Sequence, residues 1–530
     1  MFLNKRLPKF NYLFDNKEMI VYFFVLINLI LRFPSINNSI PPYFFYCDEG
    51  MFIQEVVRMI QDNSFQQNMF KAGPVNIYPP FIIYKLYSLV FNSSFDYLEL
   101  LFIGRLVLPI ASSAITILYL DKLIRLLILN KKNLPSFTAL SLFTFSPYIF
   151  SQTRIWYPDN YQFLFSTMFM YHLLKLNRGE YNLKNTLPVI ISFTLLTSVK
   201  YTGLLYLLPL LVVILIKNYE LIYEVKISQI IKKNLSHLFF GLIFISAFNL
   251  SAILNFENFM SDYLFNFQNY GGNYIFQMRA FHGFKYYAVF LFIIPTSIFS
   301  VTFLFYGIKA MFGERKFFDL FLIFVFPLGV CIYLGGFYLI MNRNINFLFI
   351  NTIVIVTYGI VKAMENLENR FNSFWKFNLF ALVAFILFSF SFTFISDFKT
   401  DSRIEASQWL DENIIFKADT LTFGHNEGCT GDSPAENKFL IFYDPEMISQ
   451  HDFYLFNNYW KNPVLERGKI NVLTQTNFKN AHFYYYMNLN LLTNNILKET
   501  LSIPEGYQLV KTFTGNGPDL YLLQKVYEND

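Results

Sequence analysis

Charge is what this chain has least of. Only 15% of its 530 residues are Asp, Glu, Lys or Arg, against roughly 25% in an average soluble domain. That shortage excludes an ordinary soluble globule, which needs charge to wet its surface. It also excludes a nucleic-acid binder, since no soluble domain carries a basic face interleaved with stacking aromatics. Cysteine is scarce as well: Cys47, Cys331 and Cys429 are all there are. With no CxxC and no His/Cys array, nothing suggests a structural metal. Internal repeats are missing too, which removes support for the inverted halves common in secondary transporters.

What remains is apolar. The chain is 54% hydrophobic and 20% aromatic, with a mean hydropathy of +0.36. Its 67 Phe and 36 Tyr suit lipid-facing and interfacial surface. A polytopic membrane protein is the consequence. Lys5, Arg6, Lys9 and Lys17 precede an apolar run from Met19 to Phe33. No small-residue cleavage site follows, so the run is expected to stay as a first span with its basic end in the cytoplasm.

Further apolar runs bring the count to about 11 spans of roughly 20 residues each. The last is Phe377 to Ser396. An odd count puts the C-terminal part outside. Lys217, Lys226, Lys232 and Lys233 crowd a loop that this parity places inside, as the positive-inside bias requires. Cys331 lies in an apolar run and reads as a small core residue. Cys47 and Cys429 fall on one side of the membrane, so a disulfide between them is sterically open.

From Phe398 onward polar residues return. Ser402 to Asn413 reads as a helix. Phe439 to Tyr443, Ala481 to Tyr486 and Leu520 to Val526 read as short strands, the last pairing with Tyr507 to Phe513. The expected architecture is therefore an all-α membrane domain over residues 1–397, followed by a small extracytoplasmic α/β domain over 398–530.

The chain is organised around Tyr46-Cys47-Asp48-Glu49-Gly50, just beyond the first span. Paired carboxylates at a membrane edge need a reason. Met51, Phe52, Val56, Met59 and Ile60 follow at helical spacing, predicting an amphipathic helix on the membrane surface. Asp48 and Glu49 stand in its first turn, where the dipole favours anions. Capping alone explains them; so does a catalytic base, and the two roles are compatible. Pro79-Pro80 should open a second short helix over Phe81 to Phe91.

Conspicuous charges of the spans gather toward one face: Asp48, Glu49, Lys85, Arg105, Arg154, Asp159, Lys200, Arg279, Lys285 and Arg343. Any one cation there could snorkel to the interface. Together they suggest a cavity for an anionic head group. Lys200 and Arg343 are the foremost phosphate ligands, followed by Arg105, Arg154 and Lys85. Transfer from an activated lipid-phosphate sugar needs one base for the acceptor hydroxyl and cations for the departing phosphate. Asp48 supplies the first, with Glu49 beside it. Asp159 is the second carboxylate, or a helix cap after Pro158. No cofactor is required. A divalent cation is not demanded, though Asp159 and His282 are the residues that could join its site.

These elements, in this order, resemble the GT-C membrane glycosyltransferases of the protein-mannosyltransferase and aminoarabinose-transferase type. The features are a first span followed by Asp48-Glu49, then Tyr78-Pro79-Pro80 and Gly104-Arg105-Leu106. Ser146-Pro147 with Arg154 and Asp159, Ser198-Val199-Lys200-Tyr201-Thr202-Gly203, and Arg343 come next. Asp401-Ser402-Arg403 with Trp409-Leu410-Asp411-Glu412-Asn413 opens the outer domain. Tyr78 stands where the family often has a basic residue, and Asn344 where it usually has Tyr. The Trp-Trp-Asp-type signature of oligosaccharyltransferases is absent.

The resemblance implies an inverting transfer from a polyprenyl-phosphate-linked sugar to a hydroxyl of a glycolipid, surface glycan or protein. It places the reaction at the outer face of the cytoplasmic membrane, with Asp48 as the base. A transporter or flippase of lipid-linked glycans, and a non-catalytic assembly subunit, are the alternatives.

Overall fold

The computed structural model describes residues 17–33, 47–70, 73–91, 97–128, 133–146, 149–150, 153, 156, 158–223, 225–271, 291, 300–335, 342–368, 421–423, 453–457, 507–513 and 520–525. By their contacts these fall into two units.

The first unit is a helical membrane bundle. Among the described residues, five helical stretches are long and apolar enough to cross a bilayer. Helix α1 (Lys17–Arg32) is followed by α2 (Cys47–Gln61), whose residues up to Met51 group with the second unit, and α3 (Pro74–Phe91). A continuous helical run comprises α4 (Tyr97–Arg105), a π-helical stretch (Leu106–Ala111) and α5 (Ser112–Leu127). Pro109 explains that wide turn, because it cannot donate to the carbonyl of Arg105. Then come α6 (Leu134–Phe145), α7 (Pro158–Arg178) and α8 (Leu183–Val199). A 3-10 turn (Tyr201–Tyr206) leads into α9 (Leu207–Ile222), α10 (Ile227–Phe248), α11 (Leu250–Leu254) and α12 (Phe256–Gly271). The bundle closes with α13 (Ser300–Gly313), α14 (Phe317–Leu320), α15 (Phe326–Gly335) and α16 (Phe349–Glu368), the last entered through a 3-10 turn (Asn342–Leu348).

One expectation shifts here. The helix predicted to start at Pro79-Pro80 begins at Pro74 and carries both prolines inside. The span Phe377 to Ser396, the helix Ser402 to Asn413 and the strands Phe439 to Tyr443 and Ala481 to Tyr486 lie outside the described residues. So does Cys429, and with it the pairing to Cys47. Cys331 is fully buried, as its apolar surroundings required.

Helix α7 packs against α5 and α8, α13 against α16, and α1 against α5 and α6. The core is densest around α16, whose apolar stretch is 89% buried, whereas that of α10 is 11% buried and lies at the periphery. Helices pack closely where side chains are missing. A Cβ at Gly359 would stand 1.9 Å from the Phe303 carbonyl oxygen, and one at Gly307 would stand 2.4 Å from that of Ile355. This crossing of α13 and α16 has the small-residue contact that replaces hydrophobic drive in lipid. Polar bonds assist: Asn28 donates to Ser113 Oγ at 2.8 Å between α1 and α5.

The second unit's described part includes a four-stranded sheet of β1 (Leu421–Phe423), β2 (Phe453–Asn457), β3 (Tyr507–Phe513) and β4 (Leu520–Lys525), ordered β1-β2-β4-β3. β1 runs parallel to β2, while β4 is antiparallel to both β2 and β3. The pairing of the two C-terminal strands is the one expected, with Phe513 opposite Leu520 and a bulge between Leu509 and Lys511.

Candidate active site

Trp156 is the post around which one end of the bundle is fastened. Its side chain is fully buried, and its ring lies on Gly104, where a Cβ would stand 2.2 Å away. Only glycine admits that contact. The indole N–H points at the Asn76 carbonyl, 3.4 Å away. In an ideal helix that carbonyl would accept from residue 80, but Pro80 has no N–H to give. The proline pair thus sits inside α3 without leaving this acceptor orphaned.

Asn76 carries the connection onward. Its Nδ2 donates to the carbonyls of Gly73 at 3.2 Å and Val199 at 3.1 Å. The Gly73 N–H also reaches the Val199 carbonyl, at 3.2 Å. A Cβ at Gly73 would stand 1.7 Å from the Ser198 carbonyl oxygen. The start of α3 and the end of α8 are therefore held together by backbone contact, which side chains alone cannot relax, and the end of α4 joins them through the Trp156 side chain.

Two of these tied points are next to a cation. Arg105 follows Gly104 and is fully buried. Lys200 follows Val199 as the extended C-cap of α8, half-buried. A third cation belongs to the same end. Arg32, the last residue of α1, is 0% exposed. Its Nε donates to Thr153 Oγ1 at 2.6 Å, and its guanidinium stands 5.3 Å from the Phe150 ring centroid. Thr153 lies three residues before Trp156. Beside Lys200, Gln162 Nε2 donates to Thr202 Oγ1 at 3.2 Å.

Asp48 and Glu49 occupy the first turn of α2. Phe52, Ile53, Val56 and Met59 form that helix's buried face. Its register is fixed by Glu55, which is buried and meets Arg58 Nη2 at 2.9 Å and the Asn68 N–H at 2.6 Å. Arg58 in turn donates to the Gln66 carbonyl at 2.6 Å and pairs with Asp62 at 2.9 Å. The hydrogen bond to Glu55 raises the Arg58 guanidinium further above its ordinary value.

The strap over residues 64–70 is pinned on its far side as well. The Gln67 N–H donates to Ser251 Oγ at 3.2 Å, and the Phe70 N–H to Asp262 Oδ2 at 2.7 Å. Tyr78 donates to the Phe65 carbonyl at 2.7 Å and touches Ser251. The α2 helix, the strap and α11–α12 thereby form one assembly.

The remaining expected residues are placed as follows. Asp159 is the second residue of α7, and Arg343 the second of the 3-10 turn before α16. Lys85 donates to Asn63 Oδ1 at 3.0 Å, at the left-handed turn that ends α2. Arg154, Arg279, His282 and Lys285 lie outside the described residues. Among the described residues no group of three or more His, Cys, Asp or Glu side chains clusters as a metal site would.

Arg32 and Glu55 were not singled out from the sequence. Arg32 ends an apolar run, where a snorkelling cation looks the same. Glu55 lies within i+3 of Arg58, a spacing shared by many exposed helix pairs. Only burial separates these residues from such ordinary cases.

No family model matches the chain, and no curated protein does. Solved structures do. The archaeal oligosaccharyltransferase AglB from Archaeoglobus fulgidus, in complex with an inhibitory peptide and a dolichol-phosphate, superposes with a TM-score of 0.53. The match is at 10% identity and covers 86% of this chain and 70% of that one. ArnT from Cupriavidus metallidurans bound to undecaprenyl phosphate gives 0.46 at 10% identity, over 95% and 97%. The fold is that of the GT-C membrane glycosyltransferases. At this identity the likeness is one of fold.

Proposed function

We propose that the protein is an inverting glycosyltransferase that moves a sugar from a polyprenyl-phosphate-linked donor to a hydroxyl acceptor at the outer face of the cytoplasmic membrane. The observation that carries this reading is the convergence of Arg32, Arg105 and Lys200 on one end of a GT-C bundle. Buried cations in a membrane domain are costly, and an anionic ligand offsets that cost. The dolichol-phosphate of AglB is a ligand of that chemical kind.

Asp48 takes the proton of the acceptor hydroxyl as its oxygen attacks the anomeric carbon. The bond between that carbon and the phosphate oxygen breaks, and the electron pair leaves with the lipid phosphate. The charge growing on that phosphate is what Arg105, Lys200 and Arg343 stabilise, with Arg154 as a further contact. Attack opposite the leaving group inverts the anomeric centre. Asp159 orients acceptor or sugar. The acceptor is a glycolipid, a surface glycan or a protein side chain, and in an 11-span protein the C-terminal domain is extracytoplasmic.

The test is transfer of labelled sugar from a polyprenyl-phosphate donor in membranes, comparing wild type with Asp48→Asn at matched expression. Loss of a general base should cost about 10²- to 10⁴-fold in rate while donor binding persists. Undiminished transfer by Asp48→Asn overturns the assignment.

A further inference from the structure

The opposite end of the bundle carries a second basic feature that the proposed reaction does not use. Lys122 on α5 and Lys175 on α7 come from helices that pack on one another, and Lys175 stands three residues after His172 on α7. Lys122 Nζ stands 4.9 Å from the centroid of Tyr119. Tyr119 meets His172 edge-on at 5.8 Å and Tyr171 at 6.0 Å, while Tyr171 and His172 are 5.0 Å apart. Three half-buried rings make a floor, and two exposed lysines stand at its margins.

Its neighbours place this floor on the lipid-facing side. Leu118 and Ile115, one and two turns before Lys122 on α5, are exposed large apolar residues. Neither lysine pairs with a carboxylate among the described residues. The nearest acid on α5, Asp121, is already held by Arg125 at 2.8 Å. Two like charges share one patch at the edge of the bilayer, where water screens them less than in bulk. An anion set between them would relieve that repulsion.

We propose that the surface patch formed by α5 and α7 binds the head group of an anionic glycerophospholipid. The phosphodiester lies between Lys122 and Lys175, and the acyl chains run along Ile115 and Leu118. Tyr119, Tyr171 and His172 sit at head-group depth, where amphipathic rings are at home. Basic pockets between spanning helices hold anionic lipids in this way. The inference is independent of the transfer reaction.

The experiment uses full-length protein in phosphatidylcholine nanodiscs containing spin-labelled phosphatidylglycerol, or spin-labelled phosphatidylcholine as reference. Wild type should prefer the anionic label. The doubly substituted Lys122→Gln/Lys175→Gln protein should lose about 30-fold in that preference, roughly 5-fold per lysine. Lys122→Arg/Lys175→Arg should keep it and shows that the site tolerates substitution. Unlabelled phosphatidylglycerol should displace the label from wild type, and dissolved inorganic phosphate should not. An unchanged preference in the Gln variant overturns the proposal. Equal displacement by phosphate does so too, because the site would then be for a free anion.

Discussion

Replacing Gly73 with alanine probes the backbone contact that places Lys200. The added Cβ would stand 1.7 Å from the Ser198 carbonyl oxygen and 2.5 Å from its carbon. Both obstacles are backbone, so no rotamer change relieves them. Ordinary contact begins near 3.4 Å, and the two segments must part by about 1.7 Å. That movement stretches the Gly73 N–H bond to Val199, now 3.2 Å, and the Asn76 bond to the same carbonyl, now 3.1 Å, beyond hydrogen-bonding range. Each buried bond is worth about 1 kcal/mol. Overpacking adds typically 1–3 kcal/mol. The sum is roughly 3–5 kcal/mol at the junction, and Lys200 moves with the end of α8.

Thermal unfolding in detergent, at matched scan rate, should show Gly73→Ala several degrees below wild type. The proposed transfer reaction should need more donor for half-maximal rate. Gly241→Ala is the control, since nothing lies within 4 Å of a Cβ there. That change should be neutral, or stabilising by up to about 1 kcal/mol through helix propensity. Equal stability and equal donor requirement in Gly73→Ala and wild type would refute the claim that this contact sets the position of Lys200.

Two further outcomes follow from the structure. Gly359→Ala drives a Cβ against the Phe303 carbonyl and should separate α13 from α16, at a cost of about 1–3 kcal/mol seen as a lower unfolding temperature; an unchanged midpoint would mean that the helices do not cross so closely. In the turn after α13, Glu314 meets Lys316 and Lys362 at 2.9 Å each and accepts from Tyr358. Burial alone would push its carboxyl up, but the hydrogen bonds from Tyr358, Lys316 and Lys362 outweigh it and bring it down to about 2 from an ordinary 4.5. Because the folded value is the lower one, the stabilisation is fully present above pH 4.5 and is lost as pH falls toward about 2. The gap in unfolding temperature between wild type and Glu314→Gln should therefore be constant at neutral pH and close on acidification; a gap independent of pH would contradict this.

The sequence by itself determined the class of this protein. Shortage of charge and long apolar runs point to a helical membrane bundle, and α1 and α2 lie where hydrophobic periodicity and capping placed them. Those signals are local, since a helix buries its own backbone bonds within a few residues. The alternation and turn residues that gave the C-terminal hairpin are local in the same sense. The cations at Arg105 and Lys200 could likewise be picked out, because charge at the end of a span is visible one residue at a time.

The tertiary structure decided which local features act together. Pro79-Pro80 looked like a helix start because proline is welcome there. The Trp156 indole beside the Asn76 carbonyl replaces the bond that Pro80 cannot make in mid-helix. Gly73 and Gly104 are unremarkable in the sequence, and their necessity comes from partners more than 50 residues away. Arg32 had the position of a snorkelling cation until burial showed that it faces inward. Glu55 and Arg58 resembled any exposed helix pair until the strap over 64–70 closed on them. In each case the deciding quantity is the distance between segments far apart in the chain, and no pattern within either segment records it.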